Sequence, residues 1–253
     1  MSVMWTAAPV VMFVALVAVH EAAHALALRR HGIPISEAGL GLPFAPRLRF
    51  QPTPRRPFVL SVSIWLVGAY IIPDEAHAKQ LAAFPYRDKS WFFGAGIVAN
   101  AVIGTGLVAV LQAMQASPVS AAVWAAVTVV LWVGRRLFVA YMVPALAIPL
   151  VVFVGWSLMS SVGEPTGMVG VATSLDVSSA LAAVKIVAIA SLGLAILNMA
   201  PIYPLDGGKI CGELVRRWTK GNGERVFQNI GFAVVVGLVF YSIISDVGWL
   251  IFS

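Results

Sequence analysis

The stretch His20-Glu21-Ala22-Ala23-His24 lies inside an apolar run from Val3 to Leu28, and reading the two together decides the fold. On a helix, histidines four residues apart share a face, one turn apart, so both imidazoles can reach one metal ion. Glu21 stands beside them, where the general base of a metallohydrolase would stand. An ionisable cluster at membrane depth is costly unless it is partnered, so it reads first as a functional site. A catalytic zinc site takes three protein donors and leaves one position open. Two imidazoles therefore call for one further ligand elsewhere in the chain.

The composition supports a membrane setting. The chain has 253 residues, 60% of them hydrophobic and only 11% charged, with a mean hydropathy of +0.89. A soluble domain carries about 25% charged residues. The net charge of +6 does not imply a nucleic-acid partner, because the basic residues gather at the ends of apolar runs, as in membrane proteins. The single cysteine, Cys211, excludes an internal disulfide and a multi-cysteine metal site and reads as a packing residue. No positive segment precedes the first apolar run, which is too long for a secretory signal and reads as a retained helix.

That helix spans residues 1–31 and stops at Arg29, Arg30, His31 and Gly32, with Pro34 beyond. His31 falls outside the motif spacing and reads as a surface histidine. Residues 32–90 hold eight prolines and read as non-helical. Leu48-Arg49-Phe50 and Phe58–Ile72 show strand character, and Gly68 bends the second run into a hairpin. The hairpin either plugs the fold or offers an edge strand to an extended substrate. Asp74, Glu75 and His77 read as a solvated loop. Helix two, residues 91–116, carries Gly94, Gly96, Gly104 and Gly106, which permit close helix packing. Asn100 in it either bonds a neighbouring helix or holds an unwound peptide.

Residues 117–160 read as two apolar helices, Val119–Val133 ending at Gly134-Arg135-Arg136 and Leu137–Met159 after them. An outer loop, 161–179, follows. The helix 180–208 runs into Asn198-Met199-Ala200-Pro201-Ile202-Tyr203-Pro204-Leu205-Asp206-Gly207-Gly208. Asp206 either caps a following helix or, at membrane depth, partners a cation held by His20 and His24. A basic loop, 209–225, and a last helix, 226–253, complete the chain. The expectation is one domain over residues 1–253, an all-α polytopic membrane protein of about six transmembrane helices with a small membrane-edge β-hairpin or sheet between helices one and two. With both termini outside, nearly every Lys and Arg falls inside, Lys185 excepted. His24 and Asp206 then both lie towards the cytoplasmic side of a plasma membrane.

HEAAH in a first membrane helix, with Asn198 to Gly208 reading N-x-x-P-x-x-P-L-D-G-G, resembles the site-2 protease family of intramembrane zinc metalloproteases. The bacterial branch, typified by the regulator of sigma E protease, is the nearest likeness. Gly68-Ala69-Tyr70 resembles the family's G-G-Y at a membrane-reentrant hairpin. Ala95 to Asn100 resembles its A-G-P-x-A-N, with Ile97 for proline, and Glu164 to Met168 resembles its G-P-x-G-I turn. The resemblance implies Zn2+ held by His20, His24 and Asp206, with Glu21 as general base. It implies a substrate held by Asn100, Asn198, Gly68 and Tyr70. The partners implied are the lipid bilayer and a single-span membrane protein, such as an anti-sigma factor or a signal-peptide remnant. The PDZ region of many bacterial members has no counterpart, because residues 115–163 are apolar helix. The alternative function is a zinc-binding membrane protein without proteolytic activity, a transporter or substrate-binding scaffold. Glu21 argues against it, since a scaffold has no use for a base.

Overall fold

The computed structural model describes residues 3–41, 46–52, 58–63, 68–115, 117–146, 149–150 and 179–252. Helix α1 runs Val3–Arg30. It ends on Gly32, whose φ of +75° is open to glycine at little cost. The Ile33 N–H then donates to Leu28 O at 3.1 Å and the Gly32 N–H to Arg29 O at 3.1 Å, closing a Schellman turn with Ile33 and Leu28 buried beneath it.

Four strands follow: β1 Ile35–Leu40, β2 Arg47–Phe50, β3 Val59–Ser63 and β4 Ala69–Pro73. They form one sheet in the order β2-β3-β1-β4. β1 pairs parallel with β3 and antiparallel with β4, and β2 pairs antiparallel with β3. The expected hairpin over Phe58–Ile72 is therefore corrected. Its two arms do form, and Gly68 turns between them with φ +82°, but β1 is inserted and takes the pairing bonds of both. β1 itself was not expected, because Ser36, Glu37 and Gly39 break the apolar alternation.

The sheet's two faces are unlike. Leu48, Phe50, Leu60 and Val62 project from one face and are exposed. On the other, Ser61, Ser63 and Glu37 are buried. An apolar exposed face and a polar buried one reverse the usual pattern of a sheet packed on an apolar core.

Helix α2, Glu75–Ala83, replaces the loop expected at Asp74, Glu75 and His77. Glu75 in its first turn suits the positive helix end, and Phe84, preceding Pro85, is extended and stops it. Helix α3 spans Tyr86–Met114, starting five residues before Trp91. Pro85 sets its entry, and the Tyr86 hydroxyl donates to Ala140 O at 2.9 Å.

Helix α4 spans Pro118–Leu137, passes through a π-helical turn at Phe138–Met142 and continues to Leu146. The expected break at Gly134-Arg135-Arg136 is absent. The Arg135 guanidinium lies over the Trp132 and Trp91 rings, 4.6 and 5.7 Å from their centroids, and Arg136 pairs with Asp88 at 3.7 Å. Both charges are accommodated without ending the helix. The rest of the expected Leu137–Met159 segment, the outer loop and the Glu164 turn lie largely or wholly outside the described residues.

Helix α5, Ala180–Met199, is capped by Ser179, whose hydroxyl accepts from the Ala182 N–H at 3.1 Å. It does not continue to Gly208. Pro201 and Pro204 break it, with a cis Tyr203–Pro204 bond between, and Asp206 opens a separate helix, α6, Asp206–Trp218. Most of the expected basic loop is thus helix. Helix α7 spans Glu224–Phe252.

Five helices among the described residues are long and apolar enough to cross a membrane: Val11–Arg30, Tyr86–Met114, Pro118–Leu146, Leu181–Met199 and Glu224–Ser245. The protein is an all-α polytopic membrane protein with a small sheet after its first helix. α3 is the central helix, packed on α1, α4, α5 and α6. Gly94, Gly96 and Gly104 permit close packing as the sequence suggests, whereas a Cβ at Gly106 would meet only Thr128 at 3.9 Å. A Cβ at Gly94 would overlap Val139, and one at Gly104 would overlap Leu192. The core is built around Phe92, Ile97, Val98, Val139, Val143 and Ile210.

Candidate active site

The helical spacing of α1 turns His20 and His24 to the same side, towards α3 and α6. Both are buried, with ring centroids 4.9 Å apart. Asp206, the first residue of α6, meets them there. Its Oδ2 lies 3.0 Å from His20 Nε2 and 2.9 Å from His24 Nε2. Glu21 is half-buried beside them, and His20, Glu21 and His24 each offer a ligand atom within 4.8 Å of the others. Two glycines bring the pieces together. A Cβ at Gly96 of α3 would overlap the His20 ring, and one at Gly207 would overlap the Met199 carbonyl. The first lets α1 seat against α3; the second lets α6 begin against the end of α5.

Outer hydrogen bonds orient the rings. His24 Nδ1 lies 2.6 Å from Phe92 O. A carbonyl only accepts, so Nδ1 carries the proton and Nε2 of the neutral ring presents a lone pair. That lone pair faces another, on Asp206 Oδ2, at 2.9 Å. With the ring neutral, those two acceptors are reconciled only by a positive charge between them, either a metal ion or a second ring proton on Nε2. Two donors held about 2.0–2.1 Å from a tetrahedral zinc are roughly 3.3 Å apart. The observed separations of 2.9 and 3.0 Å need to open by only a few tenths of an ångström. The donor set, two imidazoles and a carboxylate with a neighbouring glutamate, therefore fits a zinc ion.

Asp206 is divided between two tasks. Its second oxygen, Oδ1, accepts from Lys209 Nζ at 3.2 Å. α6 is itself pinned to α3 by Lys89, whose Nζ is 3.3 Å from Glu213 Oε1, both side chains being buried. Arg216 and Arg217 also reach Glu213. Burial alone would push the Glu213 carboxyl up, but the hydrogen bonds from Arg216 and Arg217 and the nearby Lys89 charge hold it below the ordinary value. Burial pushes the Cys211 thiol up to about 11, as befits a packing residue.

The remaining expected residues are placed apart from this cluster or behind it. Asn100 is fully buried, its Nδ2 3.0 Å from His20 Nδ1. Asn198, in the last turn of α5, donates to Leu194 O at 3.0 Å. Tyr70 lies in β4 of the sheet, and Gly68 just precedes that strand. The Tyr70 hydroxyl donates to Glu37 Oε1 at 2.6 Å, as does that of Ser61, with Arg47 Nε at 3.0 Å and Arg49 Nη2 at 3.4 Å. One carboxylate thus links all four strands. Burial would raise the Glu37 carboxyl, yet the hydrogen bonds from Ser61 and Tyr70 and the charges of Arg47 and Arg49 hold it low. His31 is half-buried rather than fully open to solvent: its ring packs edge-on against Phe92 and Phe84, 4.9 and 5.7 Å between centroids.

Lys209, Gly96, Phe92 and the Lys89–Glu213 pair escaped sequence reading. Only Gly96 left a signal, as one of a stripe of small residues whose separate partners the stripe does not reveal.

Five apolar helices among the described residues, with a buried His-His-Asp donor set and an adjacent glutamate between α1 and α6, define an integral-membrane protein with the site of a metal-dependent hydrolase. The sequence model described as Peptidase family M50 matches residues 8–242. The chain belongs to that family, the site-2 proteases, whose members are intramembrane zinc metalloproteases. No curated protein and no solved structure gives a significant match.

Proposed function

We propose that the protein is a zinc-dependent endopeptidase that cuts membrane-anchored, single-span proteins within or at the edge of the bilayer. The observation that carries this reading is the convergence of His20 Nε2 and His24 Nε2 on Asp206 Oδ2 beside Glu21. His20, His24 and Asp206 would hold the ion. Zinc bound there lowers the pKa of water towards 7 and polarises a carbonyl. Glu21 would take a proton from the attacking water and deliver it to the amine that leaves as the C–N bond breaks. Lys209 holds Asp206 Oδ1, which leaves Oδ2 to face the imidazoles.

A helical substrate has its backbone groups already bonded and must unwind before cleavage. The freed groups then need partners. β4, which begins after Gly68 and carries Tyr70, is an edge strand of the sheet and offers one line of backbone bonds. Tyr70 serves by its backbone, since its hydroxyl is committed to Glu37. The Asn198 carboxamide, half-buried at the end of α5, offers a second contact. The gathering of Lys and Arg at the helix ends supports a reading in which the site lies towards the cytoplasmic face of the plasma membrane.

The test is purified protein in proteoliposomes with a single-span substrate, wild type beside Glu21→Gln. The expected result is zinc in both and cleavage only in wild type. Undiminished cleavage by Glu21→Gln overturns the assignment of the base.

A further inference from the structure

Asn100 stands at the centre of a small conflict. Its Nδ2 lies 3.0 Å from His20 Nδ1, and in that orientation its own Oδ1 is buried without a hydrogen-bond donor. A buried amide oxygen left unpaired is costly. The orientation also fixes the imidazole. An amide N–H donating to Nδ1 requires a lone pair there, so the ring proton sits on Nε2. Nε2 is the atom that faces Asp206, and a protonated nitrogen cannot ligate a metal. His24 shows the opposite pattern, with its proton held on Nδ1 by Phe92 O.

A half-turn of the Asn100 carboxamide exchanges two groups of nearly the same shape, pairs Oδ1 and removes the conflict at His20 Nε2, with Nδ2 taking the place that Oδ1 held. Oδ1 then accepts from an Nδ1–H of His20, and Nε2 becomes a lone pair matching that of His24. The surroundings prepare Asn100 for one task. Its side chain is fully buried, so it has no open face for a substrate. Its backbone carbonyl accepts from Ser191 Oγ of α5 at 2.8 Å, tying α3 to α5 at this level. Gly96, one turn earlier, supplies the space into which the His20 ring fits.

We propose that Asn100 is a positioning residue rather than a substrate contact: its amide oxygen selects the His20 tautomer whose Nε2 is free to bind the metal. The proposal rests on the reading of His20 as a ligand. Hydrogen-bond partners behind a ligating histidine fix its tautomer and orientation, and their loss weakens metal affinity about 10–100-fold. Asn100→Asp keeps an acceptor at that point, while Asn100→Leu keeps the volume and removes it.

The experiment has two readouts on the full-length protein in detergent. The first is zinc affinity, by competition with a chromogenic chelator, for wild type, Asn100→Asp and Asn100→Leu. Leucine is expected to weaken binding about 10–100-fold, with aspartate close to wild type. Equal affinity for all three, or equal loss in both variants, overturns the proposal, since packing alone would then explain the site. The second is the nitrogen NMR signature of His20 in metal-free wild type at mildly alkaline pH, which needs no variant. A proton on Nδ1 is expected; a proton on Nε2 overturns the proposal even if zinc binds. Failure of wild type to bind zinc removes the metal reading, and the tautomer still decides the role of Asn100.

Discussion

Lys89 and Glu213 form a buried ion pair, Nζ 3.3 Å from Oε1, between the first turn of α3 and the middle of α6. The pair is unequal. Glu213 also has Arg216 and Arg217, both partly exposed. No second ion-pair partner of Lys89 is present among the described residues. Breaking a buried pair costs about 3–5 kcal/mol because it strands a charge. Glu213→Leu strands Lys89, whereas Lys89→Met leaves Glu213 with two cations. Thermal unfolding in detergent is therefore expected to show a larger loss for Glu213→Leu than for Lys89→Met. The double variant should recover part of the Glu213→Leu loss. Because α6 begins with Asp206, zinc content should follow the same ranking. Equal losses for the two single variants would show that Lys89 is solvated.

The contact between Gly96 and His20 gives a second expectation. A methyl group at residue 96 overlaps the imidazole, while at Gly134 of α4 nothing lies within 4 Å of an added Cβ. Gly96→Ala should displace His20 and weaken zinc binding by roughly the 10–100-fold typical of misplaced ligands. Gly134→Ala, a chemically identical change in another membrane helix, should stay within about 0.5 kcal/mol of wild-type stability. Chelator competition and thermal unfolding on both proteins check the pair. Unaltered zinc affinity in Gly96→Ala would mean that α1 and α3 shift apart at no consequence to the site.

The sequence shows much of this arrangement and hides the rest for definite reasons. HEAAH in an apolar helix and Leu205-Asp206-Gly207-Gly208 beyond a proline break are local patterns. Spacing on one helix predicts that His20 and His24 share a face, and membrane depth predicts a counter-charge for them. The division of residues 180–208 into α5 and α6 was less legible, because an apolar run does not reveal on which side of Pro201 and Pro204 a new helix starts. β1 was missed because its residues answer to Glu37, whose partners Arg47, Ser61 and Tyr70 come from three other strands. Arg135 and Arg136 look like a stop signal until Trp91, Trp132 and Asp88 are seen to receive them. What stayed hidden is mostly pairwise and long-range: Phe92 O behind His24, Lys89 with Glu213, Gly96 beneath His20.

The Glu37 network predicts an acid limb. Its carboxyl is held below the ordinary value of 4.5, and so is that of Glu213. As pH falls below 4.5, the unfolded chain takes up protons that these folded carboxylates still refuse, so stability falls with falling pH. The contribution is fully present above 4.5 and is lost as pH drops through the folded values. Glu37→Gln removes one of the two groups. Its unfolding temperature should start lower at neutral pH, because Arg47 and Arg49 lose their partner, and then decline less steeply below 4.5 than wild type. An unchanged acid slope would show that Glu37 keeps its ordinary titration in the folded protein. Tyr70→Phe should shift the limb towards higher pH, since it removes one of the hydrogen bonds that hold the carboxylate ionised. Backbone exchange in β4 should rise modestly with it, the hydroxyl being one side-chain tie that supplements the backbone pairing of that edge strand with β1.

Metal removal supplies the most direct physical test of the donor set. A ligand that binds only the folded state stabilises it by about 2.7 kcal/mol at one hundred times its dissociation constant. Zinc held between α1 and α6 should therefore raise the unfolding temperature of wild type, and a chelator should abolish the gain. Asp206→Asn replaces the Oδ2 carboxylate that both imidazoles face with a neutral amide, a far weaker ligand. Its unfolding temperature should respond little to zinc or chelator. The variant also loses its charge pairing with Lys209, so its metal-free stability should lie somewhat below that of metal-free wild type. Lys209→Met separates the two effects: it frees Asp206 Oδ1 but leaves Oδ2 in place, so a zinc-dependent rise should persist. A zinc response in Asp206→Asn equal to that of wild type would leave the two histidines of α1 as a metal site independent of α6.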